Sequence, residues 1–414
     1  MQDRLQPPAV TLTLPGPTLG VVGGGQLGRM LAEAAAPLGV EVIVLDPTPD
    51  CPAAPVARDQ IVADFDDPEG VRELAERGDL LTFEIELADP DLLDAVREET
   101  GVPIQPDPST LRTIQDKLVQ KETLAAAGIP VPEFERVEDA KAVRRTVERH
   151  DGVMLKARKG GYDGRGNVPV ATAEAAGQAF DAIGGDAMAE EFLDFERELA
   201  VIGVKGDGAV RTYPTTETIH REEILRETVT PARAGEVVRE RAQAVARDVL
   251  AELDGRGVYG IELFETREGE VLVNEIAPRP HNSGHWTIEG ATCSQFETHV
   301  RATLGWPLGE TTHRCPTAIA NLLGDVEETT VATLSGVESV LSAPNAHLHW
   351  YGKREVRPLR KMGHLAVTGR THDVDGGADV DGEAAPEVLE RARLLRDGLT
   401  FKQGTVDDRP GEEQ

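Results

Sequence analysis

A chain of 414 residues is too long for a single hydrophobic core, so two or three packed domains are expected and a lone small binding module is excluded. It carries 73 acidic against 43 basic side chains, a net charge of -30, which argues against nucleic-acid binding because a phosphate backbone would be repelled over most of the surface. No apolar run approaches a membrane span, and the acidity reads as a surface adapted to high salt, where screening removes self-repulsion.

Residues 1–16 hold prolines and an acid but no basic stretch ahead of an apolar core, so they read as a flexible extension rather than a secretory signal. Thr18 to Val22 is an apolar run leading into Gly23-Gly-Gly-Gln-Leu-Gly28, a helical pattern and a second apolar run, Val40 to Leu45, ending at Asp46. This is strand, glycine turn, helix and strand, the opening of a parallel α/β sheet. Further strands are expected at Asp59 to Ala63, Leu80 to Glu84 and Pro103 to Gln105, with helices at Pro68 to Arg77 and Pro90 to Glu99. Gly23-x-Gly25-x-x-Gly28 followed by Asp46 matches a dinucleotide fingerprint and by itself points to an NAD-dependent oxidoreductase; the same turn also serves merely to pack helix on strand.

Asp107 to Gly128 reads as two short helices, and the two prolines in Ile129 to Phe134 mark a domain boundary. Beyond it the pattern is mixed α+β, with one long helix from Gly235 to Leu253. Lys156 to Gly166 places four glycines and four cations in eleven residues between two strands. Glycine amides that point at phosphate oxygens, with Lys156 and Arg165 to neutralise charge, make a lid over a polyphosphate. GxxxxGK[ST] does not occur there, so it is not a Walker P-loop.

Ile261 to Glu275 reads as a β-hairpin turning at Glu268-Gly269. If its loop holds two or four residues, Glu262 lies directly opposite Glu275, and a three-residue loop breaks that pairing. Opposed like charges destabilise a sheet unless a divalent cation bridges them, and Mg2+, or Mn2+ in its place, suits two carboxylates with nucleotide oxygens. Ala277 to Thr287 follows no periodic pattern and offers Arg279, His281, Asn282, Ser283 and His285, a substrate loop beside that metal; a zinc site on His281 and His285 is the alternative. His347 to Lys353 and Arg354 to His364 hold a further cation cluster, with Arg360 and Lys361, suited to a phosphate ester. The segment Asp373 to Ala384 is acidic and glycine-rich and reads as a solvated loop. Cys51, Cys293 and Cys315 form no CxxC pair, so a reducing cytoplasm is expected.

Taken in order, Gly23-Gly-Gly-Gln-Leu-Gly-Arg-Met30, Thr82-Phe-Glu-Ile-Glu86, Gly160-Gly-Tyr-Asp-Gly-Arg-Gly166, Asn274-Glu-Ile-Ala-Pro-Arg-Pro-His-Asn-Ser-Gly-His-Trp286, His349-Trp-Tyr-Gly-Lys353 and Arg360-Lys-Met-Gly-His364 closely resemble the N5-carboxyaminoimidazole ribonucleotide synthase family. The likeness runs from about Leu19 to Thr371. It implies an α/β and α+β architecture: an ATP-grasp fold with an N-terminal Rossmann-like domain (17–112), an ATP-grasp domain (113–310, its lid subdomain about 150–205) and a small C-terminal β domain with an acidic tail (311–414).

By position, the resemblance implies that Lys117 and Lys156 meet the nucleotide, that Gly161, Tyr162, Asp163, Gly164, Arg165, Gly166 and Asn167 form the phosphate lid, and that Glu190, Glu191, Phe192 and Leu193 read adenine. It implies further that Glu198 takes the ribose, that His220 lies near the nucleotide, and that Glu262 and Glu275 are magnesium carboxylates with Asn274 beside them. Other ATP-grasp enzymes carry an Asn two places after the second Glu, where this chain has Ala277. The reaction implied is ATP-dependent carboxylation of 5-aminoimidazole ribonucleotide (AIR) with bicarbonate, in a homodimer. Tyr162, Asp163, Arg165, Arg279, His281 and Asn282 would surround bicarbonate and the ribonucleotide, with Ser283 on the substrate and Lys353 and Arg360 on its 5'-phosphate. Glu84 would face the same cleft. A formate-dependent glycinamide ribonucleotide transformylase shares this organisation, and the His281-Asn-Ser-Gly-His-Trp286 string favours the carboxylating enzyme.

Overall fold

The computed structural model describes residues 12–160, 166–369 and 380–402, with the side chains of the last helix described from 385 onward. The first unit runs β1 (Thr18–Val22), α1 (Gln26–Ala35), β2 (Glu41–Leu45), β3 (Asp59–Ile61), α2 (Pro68–Arg77), β4 (Leu80–Phe83) and α3 (Pro90–Thr100). Its four strands are parallel in the order β3-β2-β1-β4. The strand expected at Pro103 to Gln105 is reduced to one parallel bridge, Leu81 with Ile104. Helices α2 and α3 start where they do because Asp67 and Asp89 accept from their first free amides, with proline at the next position, where no amide is missed.

Helices α4 (Pro108–Gln115) and α5 (Lys117–Ala126) lead into a second sheet. Strands β5 (Phe134–Val137), β6 (Val153–Ala157), β7 (Asn167–Val170) and β8 (Ala187–Glu191) pair antiparallel in the order β5-β8-β6-β7. Helices α6 (Ala140–His150) and α7 (Ala176–Ile183) cover one face, where Val143, Val147 and Ala179 pack on Val153, Leu155 and Ala189. That burial leaves the other face of the sheet for the cleft.

The third sheet has nine strands. It is built from β9 (Phe195–Lys205), β10 (Val210–Thr212), β11 (Thr216–Arg221), β12 (Ile224–Thr230), β13 (Gly257–Thr266) and β14 (Val271–Ala277), with α8 (Glu236–Glu252) packed against it. After α9 (Thr287–Gly290) and α10 (Gln295–Leu304) the chain returns as β15 (Thr317–Leu323) beside β12. Two short strands, β16 (Thr330–Val331) and β17 (Leu334–Ser335), and α11 (Val337–Leu341) lead to β18 (Ala346–Trp350), β19 (Glu355–Val356) and β20 (Lys361–Thr368). The order is β14-β13-β9-β11-β12-β15-β20-β18, with β10 on β9, so the C-terminal strands extend the same sheet.

The reading of Asp373 to Ala384 as a loop needs correction: its last five residues open α12 (Val380–Asp397), which β21 (Thr400–Phe401) follows. The helix forms because Val388, Leu389 and Ala392 share a face that packs on Ala318, Ala320 and Val367. Arg393 and Arg396 further along it reach the fully buried Glu227 on β12. All three cysteines are free and buried.

Candidate functional site

The glycine turn is closed on itself. Gly24 N donates to Asp46 Oδ2 at 3.0 Å and Gly25 N to Glu84 Oε1 at 2.6 Å, so the amides that a pyrophosphate would need already have carboxylate partners. A Cβ at Gly23, where φ is 105°, would lie 2.7 Å from Glu84 Cγ. The fingerprint therefore packs helix against strand, and Asp46 holds the turn. Burial raises the Glu84 carboxyl to about 7, although the Gly25 amide favours its charged form.

The hairpin is open to a cleft. Its loop holds three residues, since Thr266 N bonds to Glu270 O at 2.9 Å, which is the length that breaks the expected register. The register then shifts: Leu263 opposes Val273, but Glu262 opposes Glu275, with Asn274 left as an unpaired bulge. The carboxylate pairing is thus found, by a route that loop length alone does not predict. Burial pushes the Glu262 carboxyl up, with Glu275 and Glu198 adding to the effect.

Three lysines answer these acids. Asp116 caps α5 and is gripped by Arg158 (Nε to Oδ1 at 3.0 Å, Nη2 to Oδ2 at 2.6 Å), which ties the start of the helix to the end of β6. Lys117 is thereby aimed at Glu275 Oε1, 2.5 Å away. Burial opposes charge on Glu275, but Lys117, then Lys156 and Lys121, holds its carboxyl below the usual range; 47% of the side chain is open to the cleft. Lys156 donates to Glu190 Oε1 at 2.5 Å and reaches Asn274 Oδ1 at 3.4 Å. Lys121, one helical turn beyond Lys117, faces Glu190 Oε2 at 2.8 Å. Burial works against the Glu190 charge, yet Lys156 and Lys121 hold it at about 2, while burial draws Lys121 down to about 8. Both remain charged at neutral pH.

On the same face of the large sheet Glu198 pairs with His220, which Glu198 and Glu262 hold above its ordinary value against the effect of burial. The expected adenine segment lies where β8 ends at Glu191 and residues 192–194 carry the chain into β9; Phe192 is exposed, whereas the Glu190 carboxylate turns inward to the lysines. Gly166 precedes β7, which Asn167 opens opposite Lys156. Gly161, Tyr162, Asp163, Gly164 and Arg165 lie outside the described residues.

The irregular loop is pinned by Gln295, whose amide donates to His281 O at 2.7 Å and accepts from His281 N at 2.9 Å. His281 points its Nε2 toward Glu262 at 3.7 Å and bonds Ser283 Oγ through Nδ1 at 2.9 Å. Burial, then Arg279, keeps His281 well below its usual value and so neutral. Arg279 pairs with Glu86 at 2.7 Å. His285 does not share an ion with His281: it is fully buried and stacks on His364 with ring centres 4.8 Å apart. Among the described residues the only metal-ligand cluster of three such groups is Glu133, His150 and Glu191, so the zinc alternative lacks its ligands.

Lys353 and Arg360 are tied locally, to the carbonyls of Lys361 at 2.6 Å and Glu355 at 2.8 Å. The cation of that cluster whose charge acts on Glu262, His220 and His281 is Lys361. Two further residues escaped sequence reasoning. Lys121 had a signal, its spacing of four from Lys117 on one helix. Asn321 also had one, an amide inside the otherwise apolar run of β15: its Nδ2 donates to Asn282 Oδ1 at 3.0 Å and to Leu225 O at 2.9 Å.

Three family descriptions match successive parts of the chain: the ribonucleotide synthetase preATP-grasp domain (17–115), the ATP-grasp domain (122–296) and the phosphoribosylaminoimidazole carboxylase C-terminal domain (317–374). The chain is 41% identical to the N5-carboxyaminoimidazole ribonucleotide synthase of Brucella melitensis, over 85% of its own length and 96% of the relative's. It belongs to the N5-carboxyaminoimidazole ribonucleotide synthase family. Members of this family are ATP-dependent ligases of purine biosynthesis with an ATP-grasp fold, and so is this chain. It is also 43% identical to the chloroplastic phosphoribosylaminoimidazole carboxylase of Vigna aconitifolia, over 85% of this chain but only 64% of that longer relative. The Aspergillus clavatus family member, solved with ADP and 5-aminoimidazole ribonucleotide, superposes with a TM-score of 0.83 at 34% identity, covering 93% of this chain and 100% of that one. Among the described residues no helix is long and apolar enough to cross a membrane.

Proposed function

We propose that the cleft between the β5-β8-β6-β7 sheet and the β13–β14 hairpin carries out the family reaction in this chain: ATP and bicarbonate give carboxyphosphate, whose carboxyl group passes to the exocyclic amine of AIR, yielding N5-carboxyaminoimidazole ribonucleotide, ADP and phosphate. The observation that carries the proposal is the opposed pair Glu262 and Glu275 with Lys117 and Lys156 across the cleft from it. Two half-buried carboxylates in direct register suit Mg2+, or Mn2+ in its place, since one of them, Glu262, is pushed up by burial and by its neighbour. Bound there, the ion would neutralise phosphate charge.

In this reading Lys117 and Lys156 leave their carboxylates for the polyphosphate, and Gly161 to Asn167 fold over it. Glu190 to Leu193 adjoin adenine, with Glu198 and His220 on the ribose side and Asn274 beside the ion. Arg279, His281 and Asn282, with Tyr162, Asp163 and Arg165, enclose bicarbonate and AIR. Ser283, Lys353 and Arg360 hold the ribonucleotide. Fixed cations in a closed site stabilise the in-line phosphoryl transfer and protect a labile intermediate from water. We further propose the division at about 112 and 310, a homodimer, a cytoplasmic location and a surface suited to high salt.

The test is phosphate release from ATP measured with AIR and bicarbonate, each omitted in turn, at several salt concentrations. Release that requires both supports the proposal. Release that ignores both, or that instead requires formate and glycinamide ribonucleotide, overturns it.

A further inference from the structure

The register that brings Glu262 and Glu275 together depends on one extra residue. Beyond Asn274 toward the turn, β13 and β14 pair one residue out of step with their pairing at Glu262. Were that inner register to continue, Glu262 would oppose Asn274 and the Glu275 side chain would turn to the far face of the sheet, because side chains alternate along a strand. The bulge is therefore part of the site, and something has to hold it.

The peptide group just before the bulge is held at both ends of Val273. Its amide donates to Pro130 O at 2.8 Å, and its carbonyl accepts from Lys121 Nζ at 2.8 Å. Lys121 is 2% exposed. A buried ammonium is costly unless a charge and a hydrogen-bond acceptor both meet it, and here Glu190 supplies the first and Val273 the second. The one side chain thus joins α5, strand β8 of the β5-β8-β6-β7 sheet and the bulged strand β14. A space-filling role would be met by leucine or methionine, which would leave the Val273 carbonyl unbonded.

We propose that Lys121 is a positioning residue for the carboxylate pair: its bond to the Val273 carbonyl holds the bulge at Asn274, and its ion pair with Glu190 keeps β8 aligned with that bulge. The inference rests on the reading of Glu262 and Glu275 as metal carboxylates. Metal binding is the readout, because a merely structural role would weaken nucleotide and metal binding together.

The experiment titrates Mn2+ by electron paramagnetic resonance in the presence of ADP, and ADP alone by calorimetry in a chelator, for the wild type, Lys121→Met and the double variant Lys121→Met with Glu190→Gln. A wild type that binds no Mn2+ defeats the carboxylate reading itself. With a wild type that does bind, Lys121→Met is expected to raise the Mn2+ Kd about tenfold or more, the range for a residue that orients metal ligands, and the ADP Kd less than about threefold. The double variant, with no unpaired Glu190 charge, is expected to keep the Mn2+ defect. An unchanged Mn2+ Kd in Lys121→Met, equal losses for Mn2+ and ADP, or recovery in the double variant overturns the inference, since Lys121 would then be filler or a counter-charge. Should Lys121→Met fail to fold, the double variant alone decides: wild-type Mn2+ affinity overturns the inference, and a tenfold loss supports it.

Discussion

The glycine turn after β1 and the β13–β14 hairpin each set two carboxylates against polar partners, but Asp46 and Glu84 are bonded to backbone amides whereas Glu262 and Glu275 face one another and lysine side chains. Backbone amides cannot leave, so the first arrangement is closed to a ligand. Lysine ammoniums on four-carbon stems can swing to a phosphate, so the second can exchange its partners. A motif signals a binding site only if the tertiary structure has not already used its donors.

Breaking the open site should have the largest effect. Glu275→Gln is expected to lower AIR-dependent phosphate release by roughly a hundredfold or more while the thermal unfolding midpoint moves little, because the side chain keeps its shape and is half open to the cleft. Activity near wild type would remove the contrast between the two regions.

In the closed site the expected effects are on stability. The folded Glu84 carboxyl, at about 7 against an ordinary 4.5, binds its proton more tightly than in the unfolded chain, so its contribution weakens the fold progressively as pH rises through that window and is constant above it. Glu84→Gln should be no more stable than wild type at pH 4.5 and more stable by about 3 kcal/mol at pH 8, read from denaturant unfolding at both pH values. Gly23→Ala should cost about 2 kcal/mol by the same measurement, since alanine would take up φ 105° and meet Glu84 at 2.7 Å. The smallest effect sharpens the open side: Asn321→Leu, which frees the Asn282 amide to rotate, should raise KM for AIR roughly fivefold with little change in kcat, the worth of one hydrogen bond.

Much of the fold was legible because the alternation of apolar runs and capped helices is local. Pro68–Arg77 is found as expected since Asp67 and Pro68 announce its start. The start of α12 was not legible, because its acidic, glycine-rich opening is outweighed by a face that packs only once β15 and β20 are in place. Among site residues, Lys117, Lys156, Glu262 and Glu275 are brought together around one cleft. Lys361, at the start of β20, acts on Glu262, while Lys353 and Arg360 lie outside the strands and bond the Lys361 and Glu355 carbonyls, a placement that spacing along the chain does not show.

The order of residues by itself determined the chemistry on offer: an acidic chain with a basic glycine-rich segment, two carboxylates on one hairpin and a polar loop beside them. Only the tertiary structure decided that the first glycine turn is filled by its own carboxylates and that a bulge, not the hairpin loop, sets Glu262 against Glu275. Both decisions depend on contacts between segments far apart in the chain, Gly25 with Glu84 and Lys121 with Val273, and spacing along a sequence carries no measure of distance across a fold.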